Sequence, residues 1–135
     1  MAKENYSEKV SVNINTSTLS EIDLLVDNGY YSNRSDFINQ ALRDALQKHQ
    51  GTIERIIDRN LEKDPKRWFI GVCSLGNDEI LEAKKHGQQI TYSGYGVLAI
   101  DESIDEETLF SVVQNLKIKG KVICSKTIKE HYGIK

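Results

Sequence analysis

The sequence predicts an α+β chain made of two small parts, and three observations predict it. Residues 9–15 alternate polar and apolar side chains, the period of two expected of one short strand. Residues 18–46 place apolar side chains three and four apart, broken once at Gly29, which gives two amphipathic helices. From Trp68 onward, short apolar runs alternate with acid-led helical stretches, the order of a small α/β domain. The expected organisation is a first domain over residues 1–50, a helical connector over 51–66 and an α/β domain over 67–135.

Each element has a local reason. Residues 1–8 are polar and read as an arm. In the strand, Val10, Val12 and Ile14 point one way and Lys9, Ser11 and Asn13 the other. The first helix starts near Asn15 to Thr18, where Thr18 with Glu21 fits a capping box. Leu19, Ile22, Leu25 and Val26 form its stripe, and Gly29 stops it. The second helix begins at Ser32, with Ser32 and Ser35 as start residues and Asp36 suited to the helix dipole. Phe37, Ile38, Ala41, Leu42, Ala45 and Leu46 form its apolar face. Gly51 ends or weakens it, and Ile53, Ile56, Ile57 and Leu61 mark the connector, which Pro65 closes.

In the second part, Trp68 to Leu75 is a strand and Asn77 to His86 a helix with an asparagine cap. Ile90 to Asp101 is strand-like but contains Gly94 and Gly96. A turn at 93–94 gives the order βαββαβ, a ferredoxin-like sandwich, and this order is preferred. Without the turn the order is βαβαβ, a small parallel sheet. Asp105 to Leu116 reads as a helix, Lys121 to Cys124 as a strand and Ser125 to Tyr132 as a last short helix.

Composition narrows the classes. Of 135 residues, 39% are hydrophobic and 28% charged, an ordinary globular balance. No apolar run approaches the roughly 20 residues that cross a bilayer, and the start of the chain lacks an apolar signal core, so the expectation is a cytoplasmic protein with no membrane partner. Cys73 and Cys124 lie far apart and are expected as buried thiols. The net charge is −2, and residues 1–50 hold Lys3, Lys9, Arg34, Arg43 and Lys48 against seven acids. Any affinity for nucleic acid must therefore come from a local arrangement and not from the bulk field.

A lone strand followed by two short helices cannot bury its own apolar faces, so this segment reads as half of a dimer. Here the chain resembles the ribbon-helix-helix family of DNA-binding regulators, the MetJ/Arc and CopG-like class. The residues that carry the resemblance are Val10 to Ile14, Leu19 to Leu25, and Gly29 to Ile38 followed by Ala41 and Leu42. The resemblance implies an intertwined dimer whose two strands form an antiparallel ribbon that enters the major groove of double-stranded DNA. Lys9, Ser11 and Asn13 are then the base-reading residues. The start of the second helix, Ser32, Asn33, Arg34 and Ser35, meets a phosphate. The implied function is a sequence-specific transcriptional regulator, most simply a repressor.

The α/β part is expected to join dimers into a tetramer or to sense an effector. Some regulators of this kind carry a nickel-sensing βαββαβ domain, but His49, His86 and His131 with the two cysteines form no ligand motif, so no metal and no cofactor are expected. No nucleophile–base arrangement supports an enzyme. The rival reading is an antitoxin that represses its own promoter, which calls for a short disordered tail where this sequence predicts a folded domain.

Overall fold

The computed structural model describes residues 7–134, and most of the arm expected at 1–8 lies outside them. The chain divides into two compact units, one running to Arg55 and the other starting at Ile56. Each is taken by itself.

In the first unit, residues 7–15 form neither helix nor strand. This departs from the strand expected at 9–15, for a simple reason: a strand is defined by its backbone partner, and one chain offers this segment none. Helix α1 spans Thr16–Asp27 and α2 spans Arg34–Lys48. The cap of α1 is Asn15, whose side chain accepts from the Ser17 amide, so the expected Thr18–Glu21 capping box is not the one used. The cap of α2 is Asn33 and not Ser32 or Ser35. Its side chain accepts from the Asp36 amide, while Asp36 accepts from the Ser32 amide. Gly29 adopts φ 82° in the turn between them. Tyr31 and Phe37 meet edge to face, with ring centroids 4.9 Å apart, and pin that turn to the second helix.

Helix α3, Gln50–Lys63, bridges the division and follows α2 after His49. Gly51 lies inside its first turn and ends nothing; the break falls two residues earlier.

The second unit is a three-stranded sheet, β1 (Trp68–Leu75), β2 (Ile90–Ile100) and β3 (Val113–Ile123), in the order β1-β2-β3 with all pairs parallel. Helices α4 (Asn77–Lys85) and α5 (Glu106–Val112) make the crossovers, and α6 (Lys126–Tyr132) follows. This is βαβαβ, so the ferredoxin-like expectation is corrected. There is no turn at 93–94, because β2 runs through both glycines as one strand. Gly71, Gly96 and Gly120 stand in one row across the sheet, at φ 104°, 124° and 142°. A Cβ on Gly96 would strike the Gly71 carbonyl, and one on Gly120 the Gly96 carbonyl. The glycines that suggested a turn are sites where neighbouring backbones come too close for any side chain.

Two further expectations change. The helix expected at 105–116 stops at Val112, and the strand expected at 121–124 starts at Val113. Leu116, Ile118 and Val122 alternate with Lys117, Lys119 and Lys121, a period of two that β2 pairs with. The cap of α4 is Gly76, with no side-chain bond, instead of Asn77.

Both crossovers bury one face of the sheet. Ile80 and Ala83 of α4 and Leu109 and Val112 of α5 share one core with Leu75, Ile90, Tyr92, Leu98, Ile100, Leu116 and Val122. Helix α6 adds Ile128, and the Tyr132 hydroxyl donates to the carbonyl of Val113 at 2.6 Å. Burial pushes the Tyr132 phenol up to about 12, and burial followed by the Glu79 carboxylate raises that of Tyr92.

Gly96→Ala should destabilise the protein by about 3 kcal/mol or more, because the new methyl meets backbone and φ is positive. Denaturant titration measures this, and a loss below about 1 kcal/mol would contradict the glycine row as a close-packing device. A phenol whose pKa is raised by folding stabilises fully below its unfolded value, and that stabilisation is lost as pH rises through the folded one. Tyr132 should therefore loosen α6 between its unfolded value of 10.0 and about 12. In an absorbance titration at alkaline pH, Tyr132→Phe should remove one late-ionising phenol. Loss of an early one would contradict the assignment.

Candidate nucleic-acid interface

The two groups of candidate residues sit in different local settings. Lys9, Ser11 and Asn13 lie on the unpaired segment and are exposed, but so are the apolar residues between them, with Val10 75% and Val12 73% accessible. A half-buried strand hides one of its two faces. This segment hides neither, so the face meant for a core is waiting for one.

The helices repeat the pattern. Helix α2 has no buried residue, and Leu42 and Leu46 on its apolar face are 55% and 58% exposed. Ile22 is the buried hydrophobic residue of α1. A 15-residue helix is marginal in water without packing. Among the described residues, nothing buries the apolar stripe of α2.

The second group gathers at the start of α2. Ser32, Asn33, Arg34 and Ser35 are all exposed. Asn33 uses its side-chain oxygen as the cap, and the Ser32 amide is taken by Asp36. Among the described residues the amides of Arg34 and Ser35 donate to no protein group, leaving two aligned donors at the positive end of a helix dipole. That pair of donors with the Ser35 hydroxyl is what an incoming phosphate oxygen requires.

Arg34 has a different engagement from the one expected. Its guanidinium makes a two-pronged pair with the Asp23 carboxylate, Nε to Oδ1 and Nη2 to Oδ2, both at 2.8 Å. The hydrogen bond from Arg34 holds the Asp23 carboxyl below its usual range, and Asp23 in turn raises Arg34. The pair ties α1 to the first turn of α2, so Arg34 aims the helix start as well as adding charge near it. Sequence reasoning missed Asp23, which lies 11 residues away and follows no helical spacing to Arg34.

A family model describing a ribbon-helix-helix transcriptional regulator matches residues 5–129. The chain belongs to the ribbon-helix-helix transcriptional regulator family. No curated protein and no solved structure matches it. The match reaches well past the 9–50 segment that carried the resemblance and takes in the α/β unit, so that unit is part of the family pattern. Membership makes this ribbon-helix-helix protein a DNA-binding transcriptional regulator, a class that is generally not enzymatic.

Elsewhere the chemistry is sparse. Among the described residues no three His, Cys, Asp or Glu side chains gather as a metal site, and no helix is long and apolar enough to cross a membrane. Cys73 and Cys124 are half-buried free thiols, both raised chiefly by burial. They are not on adjacent strands as the sequence allowed, because β2 separates β1 from β3.

A carboxylate whose pKa is lowered by folding stabilises above its unfolded value, and that contribution disappears as pH falls through the lower folded one. Asp23 should titrate below 3.8 in the intact protein and return to the ordinary carboxylate range in Arg34→Ala. Carboxyl-carbon NMR titration reports both midpoints, and equal midpoints would contradict the pair.

Proposed function

We propose that this protein is a sequence-specific repressor that binds double-stranded DNA as a dimer or higher oligomer and lays a two-stranded antiparallel ribbon in the major groove. The observation that carries the reading is the uncovered apolar side of residues 9–46. Val10, Val12 and Ile14 stay exposed in one chain, and α2 buries nothing. A second copy closes both surfaces at once: the strands pair, their apolar sides pack on the helices, and Lys9, Ser11 and Asn13 turn outward together.

The outward residues suit base edges. Asn13 can engage an adenine N6 and N7 in a bidentate pair, Lys9 can donate to guanine O6 or N7, and Ser11 accepts either. The free amides of Arg34 and Ser35, with Ser32 and Asn33 beside them, serve as a phosphate clamp, one per chain. Phosphate contacts fix register, and base contacts select sequence. With a net charge of −2, non-specific attraction is weak, so several contacts must align before binding holds. Operators read by more than one dimer follow naturally.

The α/β unit serves oligomerisation or effector sensing. Its shared core of strand and helix residues favours the regulator over the antitoxin reading, in which the tail would order only on a toxin. A repressor of this kind works in the cytoplasm beside the chromosome.

Selection of bound sites from random DNA by the full-length protein tests the proposal. Asn13→Ala should relax the preference at one position per half-site and cost roughly 1–3 kcal/mol on the best operator. Arg34→Ala should weaken binding to all sequences alike and flatten its salt dependence. If Lys9, Ser11 and Asn13 can all become alanine with the selected sequence unchanged, the ribbon does not read DNA.

A further inference from the structure

The sheet of the α/β unit is covered on one face only. Phe69, Cys73 and Leu75 of β1 lean on the helix-side core, as do Leu98 and Ile100 of β2 and Leu116, Ile118 and Val122 of β3. By strand alternation, Ile70, Val72, Tyr95 and Val97 point the other way. Val97 is buried yet stands apart from the helix-side core cluster, as expected of the middle of the opposite face. Around it Ile70, Val72 and Tyr95 remain 52%, 63% and 54% exposed. Parallel sheets occur almost only with both faces covered, so this face lacks a layer.

We propose that the missing layer is the same face of a second copy of this chain, held on the same particle by the paired N-terminal units. The inference rests on the dimer reading above for its tether, and goes beyond it in naming a second, separate contact between the two chains.

The distribution of side chains sets how a second copy lies on this face. The register sets Ile70 beside Tyr95 and Lys119, and Val72 beside Val97 and Lys121, with Trp68, Ser93 and Lys117 in the row before. Apolar groups thus occupy β1 and β2, and positive charge is confined to β3. Stacking β3 on its own mate would oppose Lys117, Lys119 and Lys121 to one another. A two-fold axis along the strands, near the gap between β1 and β2, avoids this: each β1 lies over the other β2, and both lysine rows fall outside the overlap, in water. An apolar centre with a charged rim is the ordinary anatomy of a protein interface.

A stacked nucleic-acid strand fits less well. Trp68 and Tyr95 meet edge to face, with centroids 6.4 Å apart and planes at 66°, so each ring is turned toward the other. The rest of the patch is aliphatic, offering bases no flat surface.

Size explains why the tether matters. Two overlapping strands of about eight residues bury on the order of 500 Å² in total, given strand spacings near 4.8 Å and a rise near 3.3 Å. Free-standing dimers need about 1,200–2,000 Å². The contact closes only where a tether raises the effective concentration to roughly millimolar.

The test uses the full chain with Cys73→Ala and Cys124→Ala, adding either Val72→Cys on the open face or Lys84→Cys on α4. Apposed sheets stand about 10 Å apart, so a short bismaleimide spans two facing thiols. The expected result is inter-chain cross-linking at least tenfold faster for Val72→Cys than for Lys84→Cys, at a rate unchanged by tenfold dilution of the protein. In the otherwise unaltered chain, Val72→Glu should also shift the emission of Trp68, the single tryptophan, to longer wavelength. A dimer by sedimentation whose Val72→Cys thiols react no faster than those of Lys84→Cys overturns this inference and leaves the ribbon reading standing. Cross-linking that rises in proportion to concentration overturns the same-particle contact. Absent cross-links together with Trp68 quenching by a single-stranded oligonucleotide assign the face to nucleic acid instead. A monomeric chain would remove both readings together.

Discussion

Apolar surface that one chain cannot cover governs the N-terminal unit. Val10, Val12 and Ile14 have no core to enter, and Leu42 and Leu46 face water. Each half-exposed side chain of this size forgoes roughly 1 kcal/mol of burial. The backbone carries the same demand, since the N–H and C=O groups of an extended segment need a neighbouring strand or water. A second identical chain answers both needs with one contact. In the proposed dimer the same contact would make the reading surface, because pairing the strands turns Lys9, Ser11 and Asn13 to one side. On that proposal folding, dimerisation and recognition are a single event, and stability would depend on protein concentration.

The turn between α1 and α2 builds the other half of the proposed interface. Asn33 caps, Asp36 reaches back to the Ser32 amide, and Arg34 grips Asp23 on the preceding helix. These contacts engage the side chains of Asn33, Asp36 and Arg34 and leave the Arg34 and Ser35 amides without a protein partner among the described residues. In a chain with more acidic than basic residues, such fixed dipoles supply local positive potential without raising net charge.

Much of this was legible in the sequence because the informative signals are local. Two helices and their turn follow from apolar spacing and Gly29, and the family was visible in residues 9–42. What stayed hidden is non-local. Gly94 and Gly96 signal a turn in isolation, and only the pairing of Gly94 with Phe69 and the Gly71–Gly96–Gly120 row, formed by residues 25 and 24 positions apart, reveal them as points of close strand approach. The start of β3 reads as helix because Glu106 to Val112 sets a helical rhythm and nothing local marks the switch at Val113. Caps moved by one to three residues because Ser, Thr and Asn crowd both helix starts and their geometry, not their identity, selects one. At the candidate interface, residue types were readable and pairings were not: the Asp23–Arg34 bond depends on the angle between two helices.

Amide hydrogen exchange over residues 9–15 of the full-length protein without DNA, followed alongside sedimentation, tests the central claim most directly. A paired ribbon predicts a dimer whose alternate amides in this segment exchange far more slowly than in an unstructured peptide, with protection fading as dilution releases monomer. A monomer, or a dimer in which every one of these amides exchanges at the unstructured rate, would contradict it.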